Sequence, residues 1–326
     1  MSVLVTGCAG FIGSNVSRLL LEEGHKVFGV DNLNDAYSVR LKNWRLNKLK
    51  QLNGFTFNQL DISDQNAISP IFSNQLTNGD KLSVVFNLGA MAGVRASVDN
   101  PSIYYDSNVT GTLNLLELCR EFDTRKFVLS STSSVYGDQT KVPFKESYNT
   151  DRPLSPYAAS KKAAEALLYS YHHIHGIDTA VLRYFTVYGP AGRPDMSIFR
   201  FIKGIAEEKT ITVFGDGSQS RDFTYVGDIA RGTILASQLS GHTTINLGND
   251  TPVVLTEVIK IIEEHLNKTA KIKYEDIHSA DVKQTWANID IAKSKLNWIP
   301  SIDIEEGVRN TVNWYQENRD WAKYLT

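Results

Sequence analysis

Cysteine is nearly missing from this chain: Cys8 and Cys119 are the only two among 326 residues, one in a glycine-rich turn and one in an apolar helical pattern. Two thiols so placed exclude a disulfide framework or a cysteine metal site and fit a reducing compartment. An excess of one charge is missing too. Lys and Arg number 34 against 36 Asp and Glu, a net charge of -2. With no basic block, this argues against a general nucleic-acid binder and makes any polyanion contact local. No apolar run is long enough to span a bilayer, and the first strand begins without a basic leader and a long apolar segment. The expectation is therefore the cytosol, with no membrane partner. Internal repeats, low-complexity tracts and metal-ligand spacings are absent, and no metal is expected. What is present, 42% hydrophobic and 21% charged residues, can bury a full core as one large domain or two unequal ones.

The first pattern is a short apolar run, Ser2-Val3-Leu4-Val5-Thr6, then Gly7-Cys8-Ala9-Gly10-Phe11-Ile12-Gly13 and a helical pattern over residues 14–23. Strand, glycine turn and helix in this order suit a dinucleotide. Gly7 permits the tight turn, Gly10 lets a pyrophosphate approach the backbone and Gly13 lets the helix pack on the strand. The helix N-terminus faces the phosphates. The next strand ends at Asp31, 18 residues after Gly13. A carboxylate there accepts hydrogen bonds from ribose hydroxyls and repels a 2'-phosphate, which favours NAD over NADP; a plain strand-end turn residue is the competing reading.

Residues 38–52 form a basic helical pattern. Phe55-Thr56-Phe57-Asn58 reads as a third strand with an exit loop at Asp61-Ile62, where Asp61 either meets the adenine or caps the helix that starts near Asp64. Residues 84–90 read as a fourth buried strand with small residues at its carboxyl end, the edge at which parallel sheets bind ligands. Pro101 opens a helix through Phe122. The fifth strand, residues 126–130, runs into the hydroxyl-rich Ser130-Ser131-Thr132-Ser133-Ser134-Val135-Tyr136-Gly137 at the same edge.

A loop then leads to Ser155-Pro156-Tyr157-Ala158-Ala159-Ser160-Lys161. Ser155 suits a helix N-cap and Pro156 the first helical position, so Tyr157 and Lys161 share one face of the first turns. A free tyrosine has a pKa of roughly 10, so a working value near ~7 needs about 4 kcal/mol of phenolate stabilisation. A neighbouring ammonium and a cofactor cation supply such a term. Of the 14 tyrosines, only Tyr157 has a lysine four residues on. Taken singly, the pair reads as a solvated helix face and the serine loop as a solvated turn; the order of elements joins them.

The glycine turn, Asp31, the Ser/Thr loop and the Tyr157/Lys161 pair together resemble the extended short-chain dehydrogenase/reductase family, specifically its nucleotide-sugar epimerases, over nearly the whole chain. The resemblance implies an α/β fold: a Rossmann-type doubly wound parallel sheet with a smaller α/β substrate-binding C-terminal domain. Residues 1–185 would bind NAD, with a later segment (about 224–250) returning to that domain, and 186–326 would mainly bind substrate. It implies Thr132 as the catalytic hydroxyl, Tyr157 as acid/base and Lys161 as electrostatic partner and nicotinamide-ribose contact. Gly7, Gly10, Phe11, Ile12, Gly13, Asp31, Asn32, Asp61, Ile62, Leu88, Gly89, Ala90, Ser130 and Tyr184 would complete the cofactor site. Asn108 takes the place of a family asparagine that positions the active-site backbone. Arg183-Tyr184-Phe185-Thr186-Val187-Tyr188-Gly189-Pro190 is similar to the segment running beneath the nicotinamide into the sugar pocket.

Related 4,6-dehydratases and decarboxylating uronate enzymes carry an acidic residue shortly before their Val-Tyr-Gly element, where this chain has Ser134. The segment from Phe185 to Pro190, Gly192-Arg193-Pro194-Asp195-Met196 and Ala92-Gly93-Val94-Arg95 resemble the UDP-glucuronate 4-epimerases. Many neutral-sugar relatives carry asparagine where Thr186 stands. A guanidinium and hydroxyls suit a carboxylate, which makes Arg193, Thr186, Ser133 and Ser134 its implied ligands, with Arg95 also at the substrate. Val213 and Phe214, Arg221 as phosphate clamp, and Asp281 before Thr285 resemble segments bordering the uridine and diphosphate. Departures stand at Asn87, Gly89, Ala280 and Asn288, where His, Ala, Gly and Asp are common.

The implied reaction is 4-epimerisation of UDP-glucuronate to UDP-galacturonate. Tyr157 removes the 4-hydroxyl proton while hydride passes to tightly bound NAD, and the 4-keto sugar turns and takes the hydride back on its other face. Rival readings are a UDP-glucose/UDP-galactose 4-epimerase, a net nucleotide-sugar oxidoreductase, and a non-catalytic NAD-binding scaffold. The helices over 101–122 and 156–173 have apolar stripes that include Leu113, Leu116, Leu167, Leu168 and Tyr171. Burial on the chain's own sheet explains such stripes; the resemblance implies a homodimer through a four-helix bundle.

Overall fold

The computed structural model describes residues 1–77, 79–276 and 282–326. Seven parallel strands form the main sheet: β1 Ser2–Thr6, β2 Lys26–Val30, β3 Phe55–Asn58, β4 Leu82–Asn87, β5 Lys126–Thr132, β6 Asp178–Tyr184 and β7 His242–Leu247, in spatial order β7-β6-β5-β4-β1-β2-β3. The order reverses between β1 and β4, which opens a crevice at their carboxyl ends. Every residue of β1 is buried. Helices cover both faces of such a sheet, so its strands read as continuous apolar runs. Alternate side chains divide between the faces: Val3, Val5, Phe86 and Val128 join one core cluster, and Leu4, Val85 and Leu129 the other.

The first helix, α1, spans Phe11–Glu22, three residues earlier than the sequence pattern predicts. Gly13 belongs inside it because its missing side chain lets the first turn sit on the Gly7 carbonyl. The helix α2, Val39–Leu49, starts close to the predicted place. It has a second allegiance: its Leu41 and Trp44, with Tyr37 just before the helix, pack into the smaller core with Tyr188, Phe199, Val258 and Trp314.

The predicted helix from Pro101 is not one regular α-helix. Ser102–Tyr105 and Gly111–Glu121 are separated by a π-turn, Asp106–Thr110. The buried Asn108 sits in that turn and is committed to tertiary contacts: Met91 N–H donates to its Oδ1 (2.9 Å), and its Nδ2 donates to Met91 O (3.0 Å) and Ser160 Oγ (2.9 Å). Such π-turns commonly mark functional sites. The Pro156–His175 helix is capped as predicted, by Ser155 Oγ accepting from Ala158 N–H, and stops at the left-handed Gly176.

The smaller lobe holds three short strand pairs: Thr186–Tyr188 with Phe223–Tyr225, Ser220–Arg221 with Val253–Val254, and Thr210–Phe214 with Lys271–Glu275. Asp222 knits it together by accepting from the N–H groups of Asn249, Asp250 and Ala287. Beyond β7 the chain returns once more to the main core through Ala287, Ile289, Ala292 and Trp298. Among the described residues no helix is long and apolar enough to cross a membrane.

Candidate active site

A cleft of about 380 Å³ opens at the carboxyl edge of the main sheet, over the β1/β4 reversal. On one side lies the glycine turn. Gly7 has φ +67°, and an added Cβ would lie 2.7 Å from Gly89 N; a Cβ on Gly13 would lie 2.1 Å from Gly7 O. A backbone this bare, feeding the unpaired N–H groups of the first turn of α1, is a cradle for a diphosphate. Asp31, at the end of β2, accepts from Ala9 N–H (3.1 Å) and Leu33 N–H (2.8 Å), which fixes its carboxylate beside the turn for ribose hydroxyls. Asn32 donates to Asp61 (2.8 Å). Burial pushes the Asp61 pKa up, but bonds from Ser63 and Asn32 outweigh this and hold it below the usual carboxylate value. Capping falls to Asp64, which accepts from Ala67 N–H (3.1 Å), while Asp61 lines the cleft. The residues present fit a dinucleotide.

On the other side lies the first turn of the Pro156–His175 helix. Tyr157, partly exposed to the cleft, has its pKa raised by burial; hydrogen bonding by Thr132 and the charge of Arg193 pull it back down. Lys161 is buried, and its ammonium donates to the Ser130 carbonyl at the end of β5 (2.9 Å). Burial lowers its pKa to about 7, against the pull of Glu165. Thr132 accepts from Ser134 N–H (3.1 Å) and so caps the Ser133–Tyr136 turn. The Asn108–Ser160 bond continues to the Tyr157 carbonyl, to which Ser160 Oγ donates (2.8 Å). The π-turn thereby braces the turn that carries the tyrosine.

The roof comes from the segment after β6. Thr186 and Arg193 line the cleft with Ser133 and Ser134. Arg193 is held bidentately by Asp195, Nε to Oδ1 at 3.0 Å and Nη2 to Oδ2 at 2.6 Å. Burial opposes its charge, and Asp195 more than restores it, so its pKa is raised.

Of the predicted cofactor residues, Gly7, Gly10, Phe11, Ile12, Gly13, Asp31, Asn32, Asp61, Ile62, Leu88, Gly89, Ala90, Ser130, Tyr157, Lys161 and Tyr184 line this one cleft. Asn108 lies buried behind it. Four predicted substrate residues stand outside its lining: Arg95 lies over the Phe214 ring at 4.0 Å, Val213 is buried in the smaller core, and Arg221 donates to the carbonyls of Ser220 (2.9 Å) and Lys283 (3.2 Å). Asp281 and Ala280 lie outside the described residues. Asn87, one of the departures, accepts from Thr6 Oγ1 (2.7 Å) and donates to Thr112 Oγ1 (2.9 Å); it ties β4 to β1 and to the helix after the π-turn. Among the described residues no three His, Cys, Asp or Glu side chains are grouped to hold a metal.

Sequence reasoning missed Tyr37, Lys42 and Asp195 in the lining. Lys42 is buried and donates to Asn34 O (2.7 Å) and Oδ1 (2.8 Å); burial lowers its pKa. The signal was a basic helix with an apolar stripe, which a solvated face explains equally well. Also missed was the buried pair behind the site, where Arg183 Nη2 meets Glu165 Oε2 at 2.8 Å and Ser131 Oγ donates to Glu165 Oε1 at 2.6 Å.

A family profile described as GDP-mannose 4,6 dehydratase matches residues 4–311. A UDP-glucuronate 4-epimerase of Thermodesulfobacterium geofontis is 57% identical over 323 residues, covering 99% of this chain and 98% of that protein. Among solved structures, a UDP-glucuronic acid 4-epimerase from Bacillus cereus in complex with UDP-glucuronic acid and NAD superposes with a TM-score of 0.90 at 34% identity, covering 98% of this chain and 100% of that one. A UDP-glucose 4-epimerase from Thermotoga maritima with UDP-glucose superposes with a TM-score of 0.88 at 32% identity, covering 98% and 100%.

Proposed function

The chain belongs to the GDP-mannose 4,6 dehydratase family, within the extended short-chain dehydrogenase/reductases, and on that premise we propose that it is an NAD-dependent UDP-glucuronate 4-epimerase. One observation carries the reading: Thr132 and Tyr157 face the same cleft as Thr186, Ser134 and Arg193. A proton-transfer pair thus shares one chamber with the groups that suit a carboxylate. The family also contains dehydratases, but Ser134 stands where their additional acid would be, so no carboxyl group is in place to drive elimination.

The backbone of Gly7, Phe11, Ile12 and Gly13 would hold the diphosphate of NAD and Asp31 its ribose; when bound, NAD accepts the C4 hydrogen as hydride and returns it. Tyr157 as phenolate takes the proton of the sugar 4-hydroxyl and gives it back after inversion. Thr132 orients that oxygen. Lys161, four residues on along the same helix and anchored on the Ser130 carbonyl, supplies positive charge that favours the phenolate when it is protonated. Arg193 has five N–H donors, so it keeps Asp195 and still meets the sugar carboxylate. With Thr186, Ser133 and Ser134 it fixes that carboxylate's charge in place and opposes loss of carbon dioxide. Val213, Phe214 and Arg221 of the smaller lobe, together with Arg95 and Asp281, are assigned to the nucleotide end of the substrate.

The protein works in the cytoplasm as a homodimer. In support, Cys8 and Cys119 are free and buried, and apolar side chains such as Ile103, Tyr105, Leu113 and Tyr169 are exposed on helices that pack side by side. A charge-assisted bond to the sugar carboxylate is worth ~1.5–3 kcal/mol, or about 10- to 100-fold in kcat/KM. UDP-glucuronate is expected to lead UDP-glucose by that factor when both are assayed side by side. A clear preference for UDP-glucose overturns the uronate reading and leaves a neutral-sugar epimerase.

A further inference from the structure

We infer that Arg45 is a positioning residue that holds the Arg193 arm in register for a carboxylated sugar; the inference rests on the uronate reading above. Arg45 lies on α2 and is 3% exposed. Its acceptors are neutral. Nε and Nη2 both donate to the Ala191 carbonyl (3.1 and 2.6 Å), and Nη1 donates to the Ala9 carbonyl (3.1 Å) and to the Tyr37 hydroxyl (2.7 Å). A buried guanidinium is costly unless its donors are satisfied, and only a planar fork reaches partners in three directions at once.

Those three partners converge on the two halves of the site. Ala9 belongs to the glycine turn, and its N–H donates to Asp31 (3.1 Å). Ala191 precedes Arg193 by two residues and has φ +54°, a left-handed conformation that a residue with a Cβ keeps only when its surroundings impose it. Two of the four Arg45 bonds go to its carbonyl. Tyr37 forms the other route: the Arg193 guanidinium lies over its ring at 5.7 Å and that of Arg45 at 5.4 Å. Arg45 therefore fixes both the backbone before Arg193 and the ring beneath it, against the turn that carries the cofactor.

The test measures affinity of the dinucleotide-loaded protein in a Tyr157→Phe background, by calorimetry with UDP-glucuronate and with UDP-glucose. Arg45→Met is expected to weaken UDP-glucuronate about tenfold, the worth of one well-placed charge-assisted contact, and UDP-glucose by less than about twofold. Ala191→Gly, which relaxes the left-handed residue without opening the core, is expected to lower the same selectivity by about threefold. Equal weakening of both ligands by Arg45→Met would mean that Arg45 only packs α2 and would overturn the inference. Should Arg45→Met not fold, an unchanged ligand ratio in Ala191→Gly overturns it. A background protein with no preference for UDP-glucuronate sinks the uronate reading itself, a result distinct from a preference that neither variant moves.

Discussion

Lys161 is a buried ammonium whose bond goes to the Ser130 carbonyl, and burial draws its pKa down from 10.5 to about 7 while the Glu165 carboxylate pulls the other way. Between those two values the unfolded chain binds more protons at this position than the folded one, so Lys161 makes stability rise with pH from about 7 to 10.5. Below that window the penalty for a buried charge is full, and above it the penalty is gone. In protein stripped of dinucleotide, Lys161→Met is expected to be more stable than its parent near pH 7 and to lose that advantage as the pH approaches 10. Thermal melts across this range check it, and an advantage that grows with pH would contradict it. The Tyr157/Lys161 spacing was legible because it is local: a cap, a proline and a four-residue repeat. Arg45 was not, because Ala191, which takes two of its four bonds, lies 146 residues away in the chain. Nor was the Arg193–Asp195 pair, two residues apart in a loop with no periodicity to read.

At the scale of the element, the strands were the most readable part, since a parallel strand buried on both faces is a bare apolar run. Helix starts were less so. The N-terminus of α1 is decided by the fit of Gly13 on the Gly7 carbonyl, a contact invisible to hydrophobic spacing. Gly13→Ala would place a methyl group 2.1 Å from that carbonyl oxygen, so either the turn or the helix must move. The variant is expected to lose most of its bound dinucleotide, measured as nucleotide released on denaturation per chain. A full complement of dinucleotide in Gly13→Ala would contradict the cradle assigned to this turn. The π-turn at Asp106–Thr110 lay beyond sequence reading for a different reason. Asn108 spends its amide on Met91 and Ser160, and those tertiary bonds override a segment whose local pattern is helical throughout.

The whole molecule joins two cores through one cleft. The seven-stranded sheet supplies the glycine turn, the hydroxyl loop and the Tyr157 helix at its carboxyl edge. The smaller lobe supplies Thr186 from its first strand pair, and α2 belongs to both through Leu41 and Arg45. The alternation of strands and helices was legible through the fifth strand, and the doubly wound sheet as a whole was implied by the family resemblance. The packing of Arg95 on Phe214, outside the cleft lining, was not, because it depends on how the smaller lobe folds over the larger. The central claim is that this cleft inverts C4 of a uronate and keeps its carboxylate. Incubating the purified protein with UDP-glucuronate, without added NAD, and reading the sugar by NMR tests it. UDP-galacturonate is expected to accumulate to equilibrium with no pentose product, and Tyr157→Phe to slow that conversion at least about 100-fold. Appearance of a UDP-pentose, or no change at C4 in protein that carries its dinucleotide, would contradict it.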